Sequence, residues 1–270
     1  MKIGFIGCGN MATAMLKGIL KSGEVEASDM IASAKSDKTR EKIEKELGIR
    51  KADTNAKVVD FADVVFLAVK PQFLEGVLDE IRDSVKAGQI FISIAPGKTL
   101  QWLGERLGEN TKVIRTMPNT PAMVGEGMTA LCVNELVTEE EIALAVKLCD
   151  TFGKTEVIPE HLMDAVVGVS GSSPAYVFMF LEAMADAGVA QGLPRKQAYT
   201  FAAQTLLGSA KMVLETGQHP GELKDAVCSP AGTTIEAVNT LEKKGFRSAV
   251  IEAVTAAAKK NHQLGKKKEK

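Results

Sequence analysis

Two rhythms of apolar residues run along this chain, and the change between them divides it. In the first part, short apolar runs alternate with segments whose apolar positions recur every three or four residues. Ile3-Gly4-Phe5-Ile6 predicts a strand, and Met11, Met15, Leu16 and Ile19 predict the inner face of the helix after it. Met30–Ser33 reads as a second strand and Lys38 to Leu47 as its helix. Asp63 to Val69 is the clearest buried strand, stopped by Lys70-Pro71. Behind it Leu74, Val77, Leu78 and Ile81 share one helical face. Ile90 to Ile94 and Val113 to Met117 add two strands. Thr138-x-x-Glu141 is a capping box for a helix carrying Ile142, Val146 and Leu148, and Thr155 to Pro159 ends the series. Strands alternating with helices predict an α/β fold, a doubly wound parallel sheet covered on both faces.

Beyond His161 strand-like runs give way to long helices. Ser173-Pro174 reads as an N-cap followed by proline at the first helical position, and Val177, Phe180, Leu181, Met184 and Gly188 repeat at helical spacing. From Pro194 to Glu215 the helix is apolar or small nearly all round. In a second domain of about 110 residues, such a helix is most simply buried against a second subunit. The expected organisation is therefore a Rossmann-type domain over residues 1–158 and an all-helical dimerisation domain over 159–270.

Charge narrows the range of partners. The net charge is −1 with 25% charged residues, which gives no bulk electrostatic case for nucleic acid or an anionic membrane. The basic Lys266-Lys267-Lys268-Glu269-Lys270 reads as a solvated tail. No apolar stretch approaches the roughly 18–20 residues of a membrane span, and the N-terminus lacks the layout of a signal peptide. The four cysteines form no C-x-x-C pair and the three histidines have no ligand-spaced neighbours. Reduced thiols, no metal and a cytoplasmic location are the expectation.

The chemistry begins at Gly7-Cys8-Gly9-Asn10-Met11-Ala12. In a G-x-G-x-x-A turn between strand and helix, Gly7 permits the tight turn and Gly9 lets a pyrophosphate approach the backbone. Ala12 allows close packing of helix on sheet, and the helix N-terminus presents N–H groups to phosphate. About 20 residues further on, an enzyme selecting NAD usually carries an acid for the ribose 2′-hydroxyl. Here Ala32-Ser33-Ala34-Lys35-Ser36 has no carboxylate, and Ser33, Lys35 and Ser36 suit a 2′-phosphate. NADPH is expected over NADH, with NADH still usable. Val69-Lys70-Pro71, Ser93 to Gly97 and Arg115 to Pro121 follow consecutive strands, which argues for a cleft at the carboxyl edge of the sheet.

A second informative stretch is His219 to Ala237, where Ser229-Pro230-Ala231-Gly232-Thr233-Thr234 interrupts two helices. Thr233-x-x-Glu236 matches a capping box. That pattern occupies Thr233 at the cap and leaves the Thr234 hydroxyl beside N–H groups suited to a small carboxylate.

This stretch resembles the signature of pyrroline-5-carboxylate reductases, and the resemblance extends over nearly the whole chain. It includes the opening Gly-Phe-Ile-Gly-Cys-Gly-Asn-Met-Ala, Leu67 to Gln72, Arg115 to Pro121, Gly168 to Tyr176 and Gly245-Phe246-Arg247. The resemblance implies NAD(P)H-dependent reduction of 1-pyrroline-5-carboxylate to L-proline, the last step of proline biosynthesis. It also implies homodimers built from the helical part, sometimes assembled into decamers. By position, cofactor contacts fall on Ile6, Gly7, Cys8, Gly9, Asn10, Met11, Ser33, Asn55, Ala68, Val69, Lys70 and Pro71, and substrate contacts on Thr233 and Thr234. Pro96 departs from the family, which more often has alanine there; proline removes a backbone donor.

These residues suggest a mechanism in which N–H groups around Gly232 to Thr234 hold the substrate carboxylate. Thr234, the one residue assigned a catalytic role, contacts the ring nitrogen. A β-hydroxyacid dehydrogenase has a similar layout but wants a lysine after the Gly-Ser turn, and none occurs between Lys154 and Lys196. A non-catalytic NADP-binding protein is the other alternative.

Overall fold

The computed structural model describes residues 1–266. The chain forms two compact units, one of Met1–Gly171 together with the end of the chain from Ala257, the other Ser172–Ala256.

The first unit is built on an eight-stranded sheet. Its strands are β1 (Ile3–Ile6), β2 (Met30–Ser33), β3 (Arg50–Ala52), β4 (Val64–Leu67), β5 (Ile90–Ser93), β6 (Lys112–Met117), β7 (Gly127–Val133) and β8 (Gly153–Val157), in the spatial order 3-2-1-4-5-6-7-8. The first six follow the Rossmann order, whose switch point lies between β1 and β4. The fold class expected from the sequence is the one observed. Two strands escaped the pattern. β3 is three residues long with two of them exposed. β7 runs antiparallel to β6, so the sheet is mixed at that end.

Helices α1 (Asn10–Ser22), α2 (Asp37–Lys42), α3 (Asn55–Phe61), α4 (Pro71–Ile81), α5 (Leu100–Leu107) and α6 (Glu139–Asp150) cover the sheet. The strand period of two sends neighbouring side chains to opposite faces. Ile3, Phe5, Val64 and Phe66 join Met15, Leu16 and Ile19 of α1 and Leu148 and Cys149 of α6 on one face. Ile6, Val65 and Leu67 join Val58 of α3, Leu74 and Leu78 of α4 and Leu103 of α5 on the other. Phe5 and Phe66 stack across β1 and β4 with centroids 4.5 Å apart. The Thr138–Glu141 capping box forms as expected. Next comes the one-turn helix α7 (Met163–Val166).

The second unit holds α8 (Ser173–Ala190), α9 (Arg195–Thr216), α10 (Pro220–Val227), α11 (Thr233–Lys243) and the first part of α12 (Phe246–Lys266). Ser172, not Ser173, occupies the N-cap of α8 and caps nothing with its side chain, so the expected Ser173 cap is displaced by one residue. The cause is a π-helical turn at Val167–Gly171, which brings helical backbone up to the boundary. In α9 only Ala198 and Ala202 are buried. Phe201, Leu207, Met212 and Leu214 are each more than half exposed, as are Phe178 and Met179 of α8.

One expectation needs correction. The helical segments between Glu160 and Ala190 make a run of 31 residues that is long and apolar enough, by length and composition, to cross a membrane. Glu160, Asp164, Glu182 and Asp186 interrupt this run in the sequence without outweighing its apolar residues.

Candidate functional site

β1 delivers the chain to the sheet's switch point, and the glycine turn follows at once. Gly7 has φ +94°, and a Cβ there would stand 2.7 Å from the Ala68 carbonyl oxygen and 2.8 Å from Val69 Cγ1. Only glycine satisfies both the dihedral and the clearance. The Gly7 N–H donates to the Ser33 carbonyl at 3.1 Å, and the Ala68 N–H donates to the Ile6 carbonyl at 2.8 Å. These two bonds draw the ends of β1, β2 and β4 together. Gly9 is the opposite case. A Cβ there would meet nothing within 4 Å, so its backbone faces open space. It is also the N-cap of α1 and caps nothing with a side chain, which leaves first-turn N–H groups for a ligand. A cavity of about 220 Å³ lies here, between Cys8, Gly9, Asn10 and Thr13 on one side and Thr39 and Ile43 on the other.

The end of β2 carries a short polar relay. Ser33 Oγ donates to Asn55 Oδ1 at 2.7 Å, and Asn55 Nδ2 donates to Glu80 Oε2 at 2.7 Å. Ser36 is engaged locally: its Oγ caps α2 by accepting the Thr39 N–H at 3.2 Å. Lys35 Nζ sits 5.4 Å from the centroid of the Phe73 ring, which is 53% exposed on α4. Sequence reasoning passed over both Phe73 and Glu80. Phe73 lies two residues past Pro71 at a position the helical pattern leaves outward-facing, and that was the available signal.

The other strand ends converge on the same edge. Lys70 is the N-cap of α4 with Pro71 at its first position. Thr116 Oγ1 donates to the Ser93 carbonyl at 3.1 Å, fastening β6 to β5. Asn119 is a hub: its Nδ2 donates to the Ser170 carbonyl at 3.1 Å and its Oδ1 accepts the Met128 N–H at 2.8 Å. Arg115 to Met117 lie within β6, and the turn that follows them is thereby tied to β7 and to the π-helical turn.

In the second unit, the Gly232 N–H donates to the Ser229 carbonyl at 3.0 Å, closing a turn through Pro230 and Ala231. Ala231 has φ +56°, the one positive value outside glycine among the described residues. That conformation costs a side chain about 1–2 kcal/mol. The expected capping box is absent. Gly232 is the N-cap of α11, no side chain caps it, and Thr233 and Thr234 are the first two helical residues. With Thr233 already inside the helix, its hydroxyl is not at the position from which a cap reaches the third N–H. Thr233 is exposed and Thr234 half-buried.

A Rossmann strand order with a bare glycine turn at its switch point defines a dinucleotide-binding protein. Along 98% of its length the chain is 53% identical to pyrroline-5-carboxylate reductase of Escherichia coli (strain K12), covering 98% of that protein. It belongs to the pyrroline-5-carboxylate reductase family. A family model described as pyrroline-5-carboxylate reductase dimerisation matches residues 160–264, and one described as NADP oxidoreductase, coenzyme F420-dependent, matches residues 2–97. The solved pyrroline-5-carboxylate reductase of Coxiella burnetii superposes with a TM-score of 0.93 at 34% identity, covering 98% of each chain. That of Plasmodium falciparum, solved with NADP bound, gives 0.89 at 32% identity over 98% of each chain. The family read from the motifs is the family found.

Proposed function

We propose that this protein reduces the imine bond of 1-pyrroline-5-carboxylate to give L-proline, with NADPH as hydride donor, completing proline biosynthesis. The reading is carried by the 53% identity to the E. coli reductase over 98% of both chains. The residues at the glycine turn fit the cofactor: Gly7 cannot carry a side chain and Gly9 leaves its backbone bare. Bound there, NADPH supplies hydride for the imine carbon. Ile6, Gly7, Cys8, Gly9, Asn10 and Met11 would hold the pyrophosphate. Ala68, Val69, Lys70 and Pro71 line the cofactor's path. Ser33, Lys35 and Asn55 would receive the adenosine ribose and its 2′-phosphate, and Phe73 would offer a face for the adenine.

The chain's own part in the chemistry is to hold and orient. Thr233 and Thr234 present N–H groups that no side chain caps, and these take the substrate carboxylate beside Gly232, whose own N–H closes the turn on Ser229. The Thr234 hydroxyl contacts the ring nitrogen. A substrate arriving with that nitrogen protonated becomes a secondary amine on hydride addition, so no strong acid is needed. Positioning and charge complementarity supply the catalysis.

Residues 1–158 serve the cofactor, and residues 159–270 serve the substrate and the subunit interface. The apolar side chains exposed on α8 and α9 support a homo-oligomer built on dimers, with the decamer as its larger form. The cytoplasm is its place.

The test is direct. Purified protein mixed with NADPH and 1-pyrroline-5-carboxylate should consume NADPH and yield equimolar proline. Binding of NADPH without turnover would replace the reductase with a non-catalytic nucleotide-binding protein.

A further inference from the structure

A cavity of about 470 Å³ in the first unit contains none of the residues assigned above to cofactor or substrate. Its walls come from four places: Gly97, Lys98, Thr99 and Trp102 around the start of α5, Arg115 on β6, Glu160, His161, Met163 and Asp164, and Asn261 and His262 near the end of α12.

The charged groups here are unusually sheltered. Lys98 is 6% exposed and Arg115 7%. Lys98 Nζ sits 3.5 Å from the centroid of the Trp102 ring. Arg115 Nη1 donates to Glu160 Oε1 at 2.8 Å, and the same oxygen accepts the Leu100 N–H at 2.8 Å. That is the only hydrogen bond of the Arg115 side chain among the described residues, and neither Nε nor Nη2 is among their buried, unpartnered atoms. The open side of a guanidinium fork therefore borders the cavity. Across from it, Asp164 accepts Asn261 Nδ2 at 2.7 Å and meets His262 Nδ1 at 3.0 Å. Met163, 1% exposed, and the indole of Trp102 supply apolar wall.

Two cations, Lys98 and Arg115, and two carboxylates, Glu160 and Asp164, make the lining neutral before the imidazoles are counted. A bare anion entering would face both acids, and a bare cation both bases, each out of bulk water. A ligand carrying both charges can set each against its opposite, which offsets the cost of leaving water, and the fork geometry of arginine matches a carboxylate. The volume falls within the range of small-molecule sites and exceeds the needs of the smallest amino acids. We propose that this cavity binds a zwitterionic α-amino acid with a sizeable apolar side chain. Its carboxylate lies on Arg115 and Lys98, its ammonium group on the Asp164 side, and its side chain against Trp102 and Met163.

Trp102 is the only tryptophan in the chain, so its fluorescence reports this cavity. L-leucine is the probe, with 4-methylvalerate (leucine without its amine) and isoamylamine (leucine without its carboxylate) as matched controls at constant ionic strength. L-leucine should shift Trp102 emission saturably at roughly millimolar concentration, and each control should bind at least about tenfold more weakly. Lys98→Met, which keeps an aliphatic chain over the indole, and Asp164→Asn should each weaken leucine about tenfold or more. Calorimetric titration reads the same binding if a variant alters the emission itself. Thr234→Ala should leave leucine binding unchanged, which separates this site from the reductase reading. Absence of leucine binding by both methods, equal binding of 4-methylvalerate, or undiminished binding in Lys98→Met would overturn the proposal.

Discussion

Ser33 and Asn55, twenty-two residues apart, meet through a 2.7 Å hydrogen bond in which the serine hydroxyl donates to the amide oxygen. Glu80 accepts from the other end of the same amide, so the amide orientation is fixed and the Ser33 proton is committed. What Ser33 offers a nucleotide is a compact, neutral position at the tip of β2.

Cofactor choice follows from that position. Ser33→Asp should set a carboxylate against the 2′-phosphate and lower kcat/KM for NADPH by roughly 10- to 100-fold, while NADH is affected far less. Steady-state kinetics with both cofactors decide it. The wild-type protein should favour NADPH, and equal ratios would remove the 2′-phosphate from this corner.

Thr234→Ala should lower kcat/KM for 1-pyrroline-5-carboxylate by about 10- to 1000-fold, ~1.4–4 kcal/mol, with little change in NADPH affinity. Thr234→Ser should restore much of it. Thr233→Ala is a cleaner control than the sequence implied, because Thr233 caps nothing. Its melting temperature should stay close to wild type, whereas loss of a true cap costs about 0.5–2 kcal/mol.

The apolar side chains exposed along α9, Phe201, Leu207, Met212 and Leu214, call for a covering surface. Sedimentation at micromolar concentration should give at least twice the 28.8 kDa of one chain. A fully active monomer would reassign that face.

Cys149 lies fully buried under the sheet, and burial pushes its thiol up to about 12. An acid whose folded pKa is raised adds stability below its unfolded pKa and loses it as pH climbs toward the folded one. Stability should therefore fall by roughly 1.4 kcal/mol per pH unit from this thiol between about pH 9 and pH 12. Denaturant melts across that window should show a shallower decline in Cys149→Ala. An identical slope would assign the alkaline loss to other groups.

The particular residues explain what sequence could and could not convey. Strand β4 was legible because four consecutive apolar residues buried on both faces have few other fates. β3, with Arg50 and Lys51 exposed, carries no such pattern and forms because β2 offers it an edge. Gly7 was legible from the G-x-G-x-x-A spacing after an apolar strand, and its φ and its clearance from Ala68 show why the position demands glycine. The Thr233–Glu236 box misled because the same four-residue pattern fits whether or not a residue is the cap, and Gly232 took that place. Phe73 and the lining around Trp102 depend on contacts between distant segments, which no local pattern encodes.

Asp164 receives its hydrogen bond from Asn261, 97 residues later. The first unit is thus interrupted by the second and completed only by the last stretch of α12. A ribosome that has released residues 1–171 has delivered every strand of the sheet but not the helix end that closes over Asp164. The final packing of the first unit therefore waits until the second has left the tunnel. Truncation near residue 256 should tell on a part of the protein finished, in sequence, long before.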